Sequence, residues 1–188
     1  MCLGVMMPAA KSHGETAAAD FSPNAFIYLE SNGNLMVKSG RCEMGQGIST
    51  ALPSVVVDEM EANWDYVRVE QAEGDIDKYG SQATGGSASI RTQYIPMRKA
   101  GAAAKEMLIA AAAKVWSANP KDCYAENHFV IHKPTGKKLG YGELASIAAT
   151  MPVPEDPALK SSKDFKYIGS YLPRHDVSMV IQLSLIHI

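Results

Sequence analysis

Two short glycine-bearing loops hold the residues whose types and spacing best suit chemistry: Glu43-Met44-Gly45-Gln46-Gly47 and Gly85-Gly86-Ser87-Ala88-Ser89. Each stands directly before a segment with helical patterning. Backbone N–H groups at a helix N-terminus have no partner within the helix and carry a partial positive charge, so such a loop can hold an anion without a lysine. Glycine lets the backbone come close to a phosphate or a flat heterocycle. In the second loop Ser87 and Ser89 add hydroxyl donors, with Arg91 in reach. In the first, Gln46 offers an amide donor and an acceptor on an unobstructed backbone, suited to the polar edge of a ring. Either loop alone is more often a cap or a turn than a site. Together, each opening a helix, they point to one elongated anionic ligand.

Other chemistries find no support. There is no P-loop, GxSxG, HExxH or His/Cys pairing. Gly45-Gln46-Gly47 lacks the later glycine of a dinucleotide fingerprint, which argues against a Rossmann site. Asp58, Glu59 and Glu61 cluster on the helix after the first loop and read as its solvated face. His128 and His132, four apart in a strand-like segment, read as surface residues. The three cysteines, Cys2, Cys42 and Cys123, have no CxxC spacing and form no metal set with the five histidines. Cys42 reads as a small half-buried residue at a strand end, with a reactive thiol as the alternative. Net charge is -2 and Lys105, Lys114, Lys121, Lys137 and Lys138 are scattered, as solvated faces, so no nucleic-acid or anionic-membrane partner is indicated. No stretch approaches the roughly 20 apolar residues of a membrane span.

The elements that must position the loops follow from periodicity. Ala25–Glu30 and Leu35–Ser39 alternate about an Asn-Gly turn and predict a hairpin. Ser49 or Thr50 would cap the next helix, with Pro53 in its first turn and Leu52, Val55, Val56 and Met60 on its apolar side. Tyr66–Gln71 alternates as a strand. The polar stretch Ala72–Thr84 leads to a long helix from about Ser89 to Trp116, alanine-rich at its centre, where Gly101 would admit a close neighbour. Pro96 should kink that helix or delay its start. Short strands at Cys123–Glu126 and His128–His132, a return into Lys138–Gly140, and a helix over Tyr141–Thr150 complete the pattern. The fold class expected is α+β: a mixed or antiparallel sheet layered with helices, one of them long and alanine-rich.

Four parts are expected: residues 1–19, either the remnant of an export signal or a floppy N-terminus; 20–150, the ligand-binding domain; 151–176, a proline-rich, exposed linker towards a further domain; and 177–188, a tail. The apolar run Val180–Ile188 bears no relation to the polar register before it and reads as an artefactual end, with an edge strand as the alternative.

Glu43-Met44-Gly45-Gln46-Gly47 followed by Thr50-Ala51-Leu52-Pro53 resembles the glutamine loop of xanthine-dehydrogenase-family molybdenum hydroxylases, and Thr84-Gly85-Gly86-Ser87-Ala88-Ser89 resembles their second cofactor loop. Asp20-Phe21-Ser22-Pro23-Asn24-Ala25-Phe26, Gly101-Ala102-Ala103-Ala104, Tyr141-Gly142-Glu143-Leu144-Ala145 and Asp164-Phe165-Lys166-Tyr167-Ile168-Gly169 are similar to the isoquinoline 1-oxidoreductase beta-subunit branch. The resemblance implies a partial molybdopterin cytosine dinucleotide site within a longer molybdenum-dependent oxidoreductase subunit. In it Gly45, Gln46 and Gly47 would face the pterin and molybdenum end, while backbone groups at Gly85, Gly86, Ser87 and Ala88 and the Ser89 hydroxyl would hold polar parts. It further implies a substrate that is an N-heterocycle or aldehyde, oxygen from water, and electrons leaving through 2Fe-2S clusters on a separate iron–sulfur small subunit. The family's glutamate base lies late in the full subunit, and Glu43 is not that residue, so this chain would be inactive alone. The branch is often exported, which makes the periplasm or a membrane-associated place the expectation and the cytoplasm the alternative. The competing reading is a stand-alone α+β module for some other phosphorylated ligand; a third is a domain whose glycine loops only cap helices.

Overall fold

The computed structural model describes residues 20–181, so the expected signal remnant at 1–19 and most of the expected tail lie outside the described residues. The predicted hairpin is present as β2 (Ile27–Leu29) and β3 (Leu35–Ser39), antiparallel about a turn in which Gly33 holds φ +94°. Alternation does its expected work: Leu35, Val37 and Ser39 are buried while Met36 and Lys38 face outward. A strand that periodicity did not reveal, β1 (Phe21–Asn24), adds to the outer side of β2 with a register break between Phe21 and Asn24. It is short and contains Pro23, which removes a ladder donor and hides the strand pattern.

From β3 the chain passes through the first glycine loop into α1 (Ile48–Glu59) and returns as β4 (Val67–Gln71), parallel to β3. The first sheet therefore has the order β1-β2-β3-β4 and is mixed. The polar stretch after β4 contains one helical turn, α2 (Ile76–Tyr79), whose Tyr79 is buried against Phe26. Next comes α3 (Ala88–Trp116), then an antiparallel sheet of β5 (Cys123–Glu126), β6 (Phe129–His132) and β7 (Lys138–Gly140), and α4 (Tyr141–Ala148). Residues 149–176 hold no α-helix or strand, and α5 (Val177–Ile181) occupies the start of the expected tail. The architecture is the α+β arrangement of mixed and antiparallel sheets with one long helix.

Helix α1 is the centre. All of its residues except Ala51 are buried, because β3 and β4 lie on one side and α3 on the other. The approach of α3 is close: a Cβ at Gly101 would lie 2.6 Å from the Val56 carbonyl oxygen. Leu52, Val56, Val57 and Met60 meet Met97, Ala104, Met107 and Leu108 in one core that extends to Leu144 and Ala148 of α4.

The structure departs from several of these expectations. Neither Ser49 nor Thr50 caps α1; Gly47 does, at φ 81°, with both residues already inside the first turn. Pro53 lies deeper than that turn, leaving the Ser49 carbonyl without a helical donor. Pro96 does not delay α3, which starts at Ala88. Asp58 and Glu59 are not a wet face: both are fully buried. Asp58 pairs with Lys160 Nζ at 2.6 Å and Glu59 with Arg98 Nε at 2.5 Å, so each charge enters the interior with a cation. Glu61 keeps a partly exposed side chain and takes Lys160 and Lys166. His128 is buried, its Nε2 2.8 Å from the Gly33 carbonyl and its ring stacked on Tyr66. Burial lowers its pKa, though the Gly33 bond opposes the shift, and the ring bridges the hairpin turn and the stretch just after α1. Lys105 is half-buried, and desolvation lowers its pKa.

The α1–α3 contact supplies the first prediction. In a helix Gly→Ala normally gains about 0.5–1 kcal/mol, whereas forcing a methyl into a filled contact costs about 1–3 kcal/mol. Gly101→Ala should therefore lower unfolding free energy by about 1–2 kcal/mol in denaturant melts. Gly74→Ala, where a Cβ meets open space, should be near neutral. Equal melts for the two variants would contradict the close approach.

Candidate functional site

The two glycine loops are brought together at one end of α1 and α3. The tie begins at Arg41, just past β3, whose guanidinium is buried. Its Nη1 donates to the Ala83 carbonyl, and its Nη2 to Thr92 Oγ1 at 3.0 Å. Beside it the Cys42 N–H donates to Thr84 Oγ1 at 3.0 Å. The start of the first loop is thus hydrogen-bonded to the stretch that leads into the second. Cys42 itself is exposed, not half-buried, because the chain leaves the sheet before reaching it.

The first loop is locked by its own glutamate. Glu43 Oε1 accepts from the Gly45 and Gly47 N–H groups at 2.8 and 2.9 Å, and Oε2 from the Ser49 N–H and hydroxyl at 3.0 and 2.7 Å. Desolvation pushes this carboxyl up, but the four donors together outweigh it and bring its pKa down to about 2. The anion at the N-terminus of α1 is therefore Glu43. Gln46 is also engaged: its amide donates to the Cys42 carbonyl at 3.0 Å and accepts from the Met44 N–H at 2.6 Å. Gly45 and Gly47 need their left-handed φ of +99° and +81° for this shape, while a Cβ on either would point into open space.

The second loop is different. Gly86 and Ser87 both have positive φ, and Ser87 caps α3 without a side-chain bond. The Ala88 N–H closes the turn onto the Gly85 carbonyl at 3.1 Å. Among the described residues the hydroxyls of Ser87 and Ser89 make no hydrogen bond, and Cβ atoms at Gly85 or Gly86 would meet nothing within 4 Å. Ser87 is exposed and Ser89 half-buried at the head of a helix of 29 residues.

A cleft of about 440 Å³ runs beside the loops. Gly45, Gln46, Gly47, Thr50, Ser54 and Val55 form one side, Ile90 and Tyr94 of α3 a second, and the segment Tyr167 to Arg174 a third. All three members of the first loop's Gly-Gln-Gly run thus line it. Residues 85–89 do not; the chain reaches the cleft one residue later, at Ile90. The third side was absent from the sequence reading of the site. Its residues are ordinary in type, and only their position beside α1 gives them a role. Arg174 brings a cation there: its Nη1 donates to the Gly45 carbonyl at 3.1 Å, and its Nη2 pairs with Asp176 at 2.6 Å.

The sequence pattern of the family described as molybdopterin cofactor-binding domain matches residues 2–179. The chain is 35% identical over 161 residues to isoquinoline 1-oxidoreductase subunit beta of Brevundimonas diminuta, covering 79% of this chain and 20% of that protein. It is 32% identical over 157 residues to the membrane-bound aldehyde dehydrogenase [pyrroloquinoline-quinone] of Gluconacetobacter polyoxogenes, covering 80% of this chain and 20% of that protein. Its fold is similar to part of Cu,Mo-CO dehydrogenase, with a TM-score of 0.55 and 24% identity over 71% of this chain and 17% of that chain. The chain spans about a fifth of the length of the two curated relatives.

Glu43 supplies a prediction with a defined pH window. Its folded pKa, about 2, lies below its ordinary value of 4.5, so its contribution is complete above 4.5 and is lost as pH falls towards 2. Glu43→Gln should cost about 1.5–3 kcal/mol at neutral pH and should flatten the loss of stability between those limits. Denaturant melts at several pH values read both effects, and parallel wild-type and variant profiles would exclude Glu43 as the group.

Proposed function

The chain belongs to the molybdopterin cofactor-binding domain family, and on that premise we propose that it forms part of the cofactor site of a molybdenum hydroxylase subunit. The observation that carries the reading is the tie through Arg41 and Cys42, which sets a shaped glutamine loop and an open donor loop beside one cleft.

The residues present fit such a group. A pterin carrying phosphate needs a flat slot with polar edges and a place for negative charge. The cleft offers glycine backbone on one side and Tyr94 and Ile90 on another. For the charge, the head of α3 has the free hydroxyls of Ser87 and Ser89 and the partial positive charge of a long helix. Arg41 adds a buried guanidinium that no carboxylate pairs with among the described residues, its Nε lacking any hydrogen-bond partner. A buried cation without a counter-charge is costly, and an anion at the second loop would relieve it.

On this reading Gly45, Gln46 and Gly47 hold the pterin end, and Gly85, Gly86, Ser87, Ala88 and Ser89 hold the phosphate-bearing end of a molybdopterin cytosine dinucleotide. When bound, that group supplies the redox centre for transfer of water-derived oxygen to an N-heterocycle or aldehyde, with electrons passing to 2Fe-2S clusters of an iron–sulfur small subunit. Glu43 acts as a capping carboxylate that shapes the first loop, since all its acceptor positions are directed at its own chain. A base for the reaction comes from elsewhere in the longer subunit. Export to the periplasm goes with this reading and concerns residues outside those described. The relative named for pyrroloquinoline quinone offers a different cofactor class, which the same experiment separates.

The test is to purify the whole subunit that carries this chain and to analyse what it releases on acid treatment. The expected result is a fluorescent oxidised pterin together with cytidine monophosphate in equal amounts. Pterin without the nucleotide would remove the dinucleotide form; a quinone, or neither, would remove the proposal. Gly86→Val, which places a β-branched residue at φ +58°, should lower retained pterin roughly tenfold, corresponding to about 1.4 kcal/mol.

A further inference from the structure

We infer that Asp58 is a positioning residue for the cleft, fixing the segment from residue 166 to 174 as one of its walls. The inference rests on the cofactor reading and extends it to a carboxylate at the opposite end of α1 from the glycine loops.

The wall has little structure of its own. Between residue 164 and α5 there is no helix or strand, yet Tyr167, Ile168, Gly169, Ser170, Leu172 and Arg174 all line the cleft. Something outside the segment must hold it. Asp58 Oδ2 accepts three successive backbone N–H groups, from Lys166, Tyr167 and Ile168, at 3.0, 2.8 and 2.8 Å. Asp58 Oδ1 is held at 2.6 Å by Lys160 Nζ, which Glu61 also grips at 2.7 Å. Both Asp58 oxygens are thus committed, and the carboxylate is fully buried on a helix enclosed from both sides. It cannot move without α1.

The far end of the segment is pinned to the same helix. The His175 N–H donates to Thr50 Oγ1 at 3.1 Å, and Arg174 reaches the Gly45 carbonyl. Asp58 and Thr50 stand eight positions apart on α1, roughly 12 Å along its axis. The wall is a span between two posts on one rigid helix, and its posts flank the cleft side formed by Thr50, Ser54 and Val55. A carboxylate accepting three backbone donors orients those peptides as well as anchoring them, so the direction in which Tyr167 and Ile168 leave α1 is set by Asp58.

A simple folding staple would use the same bonds, and the two roles differ in what is released when one bond is cut. Lys166→Pro removes a single N–H donor and leaves the buried carboxylate in place. Phe165 already has ψ 137°, the conformation that a residue before proline requires. Lys166→Ala is the control, since it loses only the pairing with Glu61. Asp58→Asn removes the charge.

The experiment uses the cofactor-bearing subunit, with amide hydrogen exchange as the first readout and pterin loss after dilution as the second. Lys166→Pro and Asp58→Asn should speed exchange at residues 167, 168 and 175 by about tenfold or more while core amides of α1 and α3 hold. Both variants should also shed pterin about tenfold faster, with Lys166→Ala unchanged. Faster exchange at the wall with unaltered pterin retention would overturn the inference. So would equal loosening of α1 and α3, which marks a staple. If Asp58→Asn does not fold, Lys166→Pro decides the matter. A wild-type subunit that retains no pterin counts against the cofactor reading, while the exchange pattern still decides whether Asp58 places the wall.

Discussion

Two acidic side chains at the end of α1, Asp58 and Glu59, lie in the interior of the protein, and the surrounding structure is arranged to keep them there. A buried carboxylate without partners is destabilising by several kcal/mol. Here each one draws in a cation and backbone donors from distant chain. Glu59 takes Arg98 from α3 and the Lys160 N–H, while Arg98 Nη2 donates to the Lys160 carbonyl at 2.6 Å and its guanidinium lies over Phe165. Asp58 takes Lys160 and the three peptides that follow Phe165. Burial pushes the Asp58 carboxyl up, yet these donors win and hold it below its ordinary value; Lys160 is raised in turn because Asp58 and Glu61 outweigh its own desolvation. One cluster thereby fixes α1, α3 and the segment after α4 against each other.

The cleft inherits its shape from that arrangement. Its three sides belong to α1, α3 and the segment at 167–174, the same three bodies that the buried charges join. The close approach at Gly101 sets how near α3 lies to α1, and the Arg41 tie sets where the heads of the two helices stand. Packing fixes the axes, the ion cluster fixes one end, and the loop contacts fix the other.

The two glycine loops, each opening a helix, come out unlike in chemistry. In the first, the N–H groups before α1 are already spent on Glu43, and the Gln46 amide closes the loop upon itself. That loop presents carbonyl edges and glycine surface in a stiff frame. In the second, the serine hydroxyls and the head of α3 remain open beside the uncompensated Arg41. The division suits a ligand with a flat polar ring at one end and charge at the other. The first loop carries a carboxylate, Glu43, that takes up its own donors, and the second, Gly85-Gly86-Ser87-Ala88-Ser89, carries none.

The sequence by itself determined most of the local elements, though not β1 or α2, and the presence of the two loops. Alternation in Leu35–Ser39, the alanine-rich run of α3 and the turn residues around Gly33 and Asn119 act over a few positions, so they can be read without knowing the fold. Gly101 was legible as a place for close approach, although not which helix would come. Only the tertiary structure decided that Asp58, Glu59 and His128 are inside, because their partners stand far along the chain: Lys160, Arg98 and Gly33. A charge on a helix looks solvated until a second helix and a distant segment of chain close over it. The wall of the cleft was hidden for the same reason. Its residues carry no pattern of their own, and their place comes from hydrogen bonds to a carboxylate more than a hundred residues earlier.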